Sequence, residues 1–118
     1  MLIVQPAEHG AMYEEFLRHH GLVPQCPADA TEALSLAATA DVIVTGLLLP
    51  GPMDGFEFIQ RLRADDRTSR TPILVLTAWT RLADRRRARE AGCNAFLTKP
   101  CLPDVLLTEI RRALAPAS

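Results

Sequence analysis

Apolar residues in this chain follow two alternating rhythms. Short runs with little polar interruption occupy 1–5 (opening Met1-Leu2-Ile3-Val4), 41–46 (Asp41-Val42-Ile43-Val44-Thr45-Gly46), 72–77 and 95–98, and a weaker one lies at 22–26. Runs of this length predict strands. Between them, apolar residues recur every three or four positions, which predicts helices over 8–20, 29–39, 54–65, 82–92 and 102–115. The first helix gathers Met12, Tyr13, Phe16, Leu17 and His20 on one face, the third Phe56, Ile59 and Leu62, and the last Leu106, Leu107, Ile110 and Leu114. Five strand–helix units in succession predict an α/β domain built on a parallel sheet.

Local signals fix the ends of these elements. Asp29 with Glu32 and Asp54 with Glu57 have the spacing of a capping box, and Pro103 suits a first helical turn. Gly21 and Gly92 fall where helices turn back into strands. Runs 42–45 and 73–76 are rich in Val, Ile and Leu without alternation, as strands covered on both faces should be. Run 22–26 holds Pro24 and precedes Pro27, so it belongs at an edge. The expected architecture is a flavodoxin-like (βα)5 three-layer sandwich, its five-stranded sheet in the order 2-1-3-4-5. Such sheets bind ligands outside the carboxyl ends of their strands where the order reverses, which here means Gln5, Pro6 and Gly46.

Composition narrows the functional classes. The 118 residues, 48% hydrophobic, suffice for one core, and a single domain over 1–118 is expected, with Ala115–Ser118 as a loose tail or the beginning of a trimmed linker and nothing left over for an effector module. Thirteen basic and fourteen acidic side chains give a net charge of −1, which argues against nucleic-acid binding by this domain alone. Cys26, Cys93 and Cys101 match neither a zinc knuckle nor a redox pair, so a reduced cytoplasmic protein is expected. The opening apolar stretch stops at Gln5-Pro6, far short of the roughly 20 residues that span a bilayer, and reads as a strand rather than a signal or anchor.

Several ordered motifs carry a family resemblance over about Leu2 to Leu114: Pro50 with Met53-Asp54-Gly55-Phe56-Glu57, Leu76-Thr77-Ala78, Ala91-Gly92 and Leu97-Thr98-Lys99-Pro100. With these the chain resembles the response-regulator receiver domains of two-component signalling. The resemblance implies an acidic pair after the first strand and an aspartate after the third that hold magnesium, the aspartate accepting a phosphoryl group. Gln5 and Pro6 stand at the pair and Gly46 at the acceptor, and no residue from Leu2 to Ala7 is acidic. Magnesium wants oxygen ligands anchored by carboxylates, so no metal site and no cofactor are expected, and the domain is expected to be stable without metal. Glycine near a strand end costs roughly 0.5–1 kcal/mol.

Glu8 and Asp54 are the nearest carboxylates and read as a first-turn acid and a helix cap; Asp41 opens its strand at the far end. The resemblance assigns Thr77 to the hydroxyl switch, Lys99 to phosphate pairing and Phe96 to the rotating aromatic, and implies a cis Lys99-Pro100 bond. Without a phosphoryl group Thr77 reads as a strand-end hydroxyl bonded to backbone, and Phe96 as packing. Lys99 must pair with Glu8 or Asp54, reach solvent, or hold an anion. One residue more than usual separates Pro50 from Asp54, with Gly51-Pro52 as its turn.

Function is then expected at a surface. Helix 82–92 and its approach carry Arg81, Arg85, Arg86, Arg87 and Arg89 against Asp84 and Glu90, either a solvated face or a docking patch for an acidic partner. Cys93-Asn94-Ala95 lacks the acids of dimerising receivers. Cys101, Leu102 and Val105 leave apolar surface assigned to the neighbourhood of Trp79, which itself could lid the pocket. The leading reading is a non-enzymatic pseudo-receiver that acts through phosphorylation-independent contacts with a signalling protein: a histidine kinase, an effector or another receiver. The alternatives are a phosphoacceptor with an unusual aspartate, and a small-anion or ligand sensor using Lys99 and Thr77.

Overall fold

A computed structural model describes residues 1–5, 7–79 and 81–115, without the side chains of residues 7–9. The elements run β1 (Leu2–Val4), α1 (Ala7–His19), α2 (Ala30–Leu36) with a 3-10 turn at Ala37–Thr39, β2 (Ile43–Thr45), α3 (Gly55–Ala64), β3 (Ile73–Thr77), α4 (Leu82–Ala91), β4 (Ala95–Thr98) and α5 (Pro103–Leu114). The four strands pair in parallel in the order β1-β2-β3-β4, with Leu2 opposite Ile43, Ile43 opposite Ile73 and Leu74 opposite Ala95. The fifth strand expected at 22–26 is not formed. A single bridge joins Gln25 to Leu2 on the outer side of β1, through Ile3 N–H to the Gln25 carbonyl and Gln25 N–H to the Met1 carbonyl. Pro27, the next residue on the side facing β1, has no N–H to extend that ladder.

Period-two alternation along the strands divides the core into two layers. Leu2, Val4, Ile43, Ile73 and Val75 pack against α2, α3 and α4, while Ile3, Val44, Leu74 and Leu76 pack against α1 and α5. The helical stripes are close to those expected, except at Met12, at His20 and at Leu114, which is exposed at the end of α5. Tyr13 and Leu17 are buried, but Met12 and His20 are exposed, because a helix against a two-helix layer buries a narrow stripe. On α3, Phe58 is buried as well as Phe56, Ile59 and Leu62. Asp29 and Asp54 cap α2 and α3 by accepting from Glu32 N and Glu57 N, each at 2.9 Å. Gly92 ends α4 at φ 122°, in the left-handed region that favours glycine. No helix among the described residues is long and apolar enough to cross a membrane.

Candidate functional site

The carboxyl ends of the four strands converge on one side chain. Gln5, directly after β1, is 6% exposed. Its Nε2 donates to the Leu76 carbonyl on β3 at 3.0 Å, and its Oε1 accepts from Lys99 Nζ, just past β4, at 2.8 Å. One neutral amide therefore ties together the ends of three strands whose residues lie 71 and 94 positions away. Its length and two-sided chemistry suit it to this: the amide supplies a donor to a carbonyl and an acceptor to an ammonium at once.

Gly46 lies beneath that bridge, at the end of β2. Its N–H donates to the Val4 carbonyl at 2.9 Å and its own carbonyl accepts from Thr45 Oγ1 at 2.9 Å. A Cβ placed on it would stand 3.4 Å from Gln5 Nε2 and 3.4 Å from Leu49 Cδ2, so the amide and the following loop occupy the space a longer side chain would need. Gly55 closes the far side of this loop. A Cβ there would collide with the Gly46 carbonyl, and its N–H donates to the Leu47 carbonyl at 2.8 Å. Thr77 is 5% exposed; its hydroxyl accepts from Trp79 N–H at 3.1 Å, and its carbonyl from Lys99 N–H at 2.8 Å.

These groups bound a pocket of about 130 Å³, walled by Leu47, Leu48, Leu76, Ala78 and Trp79 as well as Gln5, Gly46, Thr77 and Lys99. Among the described residues, no group of three or more His, Cys, Asp or Glu side chains is disposed to hold a metal. Asp54 is spent as a helix cap, and Asp41 lies 3.6 Å from the terminal ammonium of Met1. Pro6 lies outside the described residues, as does the Glu8 side chain. The set of partners expected for Lys99 lacked Gln5, whose signal was its place directly after an apolar run.

The outlying residues are distributed differently from expectation. Cys101 and Leu102 line a separate, largely apolar groove of about 430 Å³ with Met12, Tyr13 and Pro103, adjoining the first pocket at Lys99. Trp79 lines the first pocket, not this groove, and Val105 is exposed on α5. Tyr13 donates to the Cys101 carbonyl at 2.8 Å, and burial, followed by Cys101 itself, raises its pKa. Phe96 is half-buried against the core with the Arg85 guanidinium 5.2 Å from its ring centre. Arg86 and Arg89 are exposed along α4. The Lys99-Pro100 bond is cis.

A family model described as the response regulator receiver domain matches residues 7–111. The DNA-binding dual master transcriptional regulator RpaA of Synechocystis is 37% identical over 83 residues, covering 70% of this chain and 34% of that protein. Transcriptional regulatory protein HprR of Escherichia coli is 35% identical over 100 residues, 83% of this chain and 43% of that one. Chemotaxis protein CheY4 of Vibrio cholerae superposes with a TM-score of 0.86 at 31% identity, over 96% of this chain and 95% of that one. The receiver domain of sensor histidine kinase PA1611 from Pseudomonas aeruginosa was solved with magnesium coordinated in its active-site cleft. It gives 0.86 at 29% identity, over 96% and 94%. The chain spans from 34% to 55% of the length of the first curated relatives it matches.

Proposed function

The chain belongs to the response regulator receiver domain family of two-component signalling, and we propose that it is a member that works without being phosphorylated, through contacts with another signalling protein. The observation that carries this reading is the Gln5 bridge over Gly46. At the end of β2 there is no side chain to accept a phosphoryl group, and the space above it is taken by an amide hydrogen-bonded to Leu76 and Lys99. Thr77, the hydroxyl the family resemblance assigns to switching, is engaged by the Trp79 backbone.

The donor set also fits magnesium poorly. The Gln5 oxygen faces the Lys99 ammonium, so a divalent cation approaching it meets a like charge, and Gly46 offers no side-chain oxygen. No step in this reading runs through a metal. The activity is association, and the module is read as a cytoplasmic partner of a histidine kinase, an effector or another receiver. Incubation with acetyl phosphate and magnesium followed by intact mass measurement tests the reading: an unchanged mass is expected, and stoichiometric addition of a phosphoryl group refutes it.

A further inference from the structure

We propose that the pocket at the ends of β2 and β3, continued along α4, is a docking site for an acidic protein segment that inserts one apolar side chain, of leucine or phenylalanine size. The inference deepens the contact-based reading above and rests on it. The pocket comes first. Gln5 and Lys99 spend polar atoms on each other and on the Leu76 carbonyl, which leaves walls of carbon from Leu47, Leu76, Ala78 and Trp79. At about 130 Å³ it approaches the roughly 150 Å³ at which an apolar cavity accommodates a benzene-sized guest. Two apolar side chains stand at the mouth on loops, Leu48 at 67% exposure and Trp79 at 36%. An exposed apolar rim around a small apolar pocket suits an anchor side chain better than an ion.

Charge supplies the rest of the occupant. Arg81 begins two residues beyond Trp79, and the stretch Arg81–Ala91 carries five arginines against Asp84 and Glu90, in a chain whose overall charge is −1. Arg81 is held by Asp84 at 2.9 Å. Arg85 and Arg87 lie against the rings of Phe96 and Phe56, at 5.2 and 4.0 Å. Arg86 and Arg89 are exposed and make no salt bridge among the described residues. A segment that seats its anchor beside Trp79 and runs along α4 therefore meets a row of positive charge, and acidic residues beside the anchor complement it.

The test uses the intact chain and a blocked peptide with a central phenylalanine and about five glutamates on either side, enough in either direction to span α4 (~15 Å at 1.5 Å per residue). Controls carry serine for the phenylalanine or lysines for the glutamates. Binding is followed through the single tryptophan and by amide chemical shifts at low salt. Saturable binding that perturbs Trp79 and weakens about tenfold or more with either control, with Leu48→Ser, or with Arg86→Glu/Arg89→Glu is expected, as is weakening with added salt. All three substituted side chains are exposed, so the fold should tolerate them. No saturable binding, or binding indifferent to the anchor or to Leu48, overturns the proposal. Phosphoryl labelling from acetyl phosphate instead overturns the reading beneath it, which separates the two failures.

Discussion

Replacing Gln5 with leucine removes the amide and keeps most of its apolar volume, so the measured loss reports on the bridge itself. Two hydrogen bonds disappear from a residue 6% exposed, the 3.0 Å bond to the Leu76 carbonyl and the 2.8 Å bond from Lys99 Nζ. A carbonyl left without its donor in a buried setting costs about 1–2 kcal/mol, and a bond to a charged group is worth about 1.5–3 kcal/mol. The second figure is discounted because Lys99 is half-exposed and its ammonium can turn to water, and leucine returns up to ~1 kcal/mol of apolar burial. The net loss should be about 2 kcal/mol, or ~8 °C in Tm for a domain of this size. Urea unfolding followed by Trp79 fluorescence and by circular dichroism measures it. Gln5→Glu should also be destabilised, since a carboxylate keeps an acceptor for Lys99 but turns an oxygen instead of a donor toward the buried Leu76 carbonyl. A leucine variant within about 0.5 kcal/mol of the parent refutes the bridge.

Gly46→Asp should remain unlabelled by acetyl phosphate with magnesium, since the new carboxylate enters against Gln5 and no residue from Leu2 to Ala7 is acidic; labelling detected by intact mass counts against this. Arg63→Met should cost about 2–4 kcal/mol in urea unfolding, because several buried or half-buried acceptors lose one cation. Its guanidinium donates to the carbonyls of Gly92, Thr68, Ser69 and Thr71 and to Asn94 Oδ1, so amide exchange should accelerate over 68–71 and 92–94. The Cys26 thiol is exposed, yet partial desolvation and then its hydrogen bond to Glu14 raise it to about 11, so it should alkylate slowly at pH 8, and Glu14→Gln should speed it. Between the unfolded thiol pKa of about 8.5 and 11 the unfolded chain holds fewer protons, so stability should fall across that window; a flat profile, or one matched by Cys26→Ser, contradicts the assignment.

What the sequence made legible follows from how local each signal is. The capping bonds of Asp29, Asp54 and Gly92 span three or four residues, and these caps were readable because those bonds are local, although Gly92 also accepts from Arg63 across the fold. The buried stripe of α3, and that of α5 as far as Ile110, were readable for the same reason, their period being set by the helix alone. Run 22–26 was credited with too much pairing: its composition suggests a strand, while Gln25 alone bridges to β1 and Pro27 has no N–H to continue the ladder. Met12 shares a helical face with Tyr13 and Leu17, and only the width of the layer beneath decides which of them is covered, while His20 falls in the turn after α1.

The site divides along the same line. That Gly46 follows a strand, and that Lys99 follows another, can be read locally; that Gln5 would answer Lys99 requires the sheet, because parallel register brings the ends of β1, β3 and β4 to a common level. A reading that offers Lys99 only Glu8, Asp54, solvent or an anion passes over an amide. Yet an amide has a property there that a carboxylate lacks, since it can satisfy the Leu76 carbonyl with a donor while still accepting from the ammonium. The neutral residue at position 5 is therefore more than a missing acid. It closes a hydrogen-bond path across the strand ends within the chain, leaving the apolar rim at Leu48 and Trp79 and the arginines of α4 as the parts of this surface open to a partner.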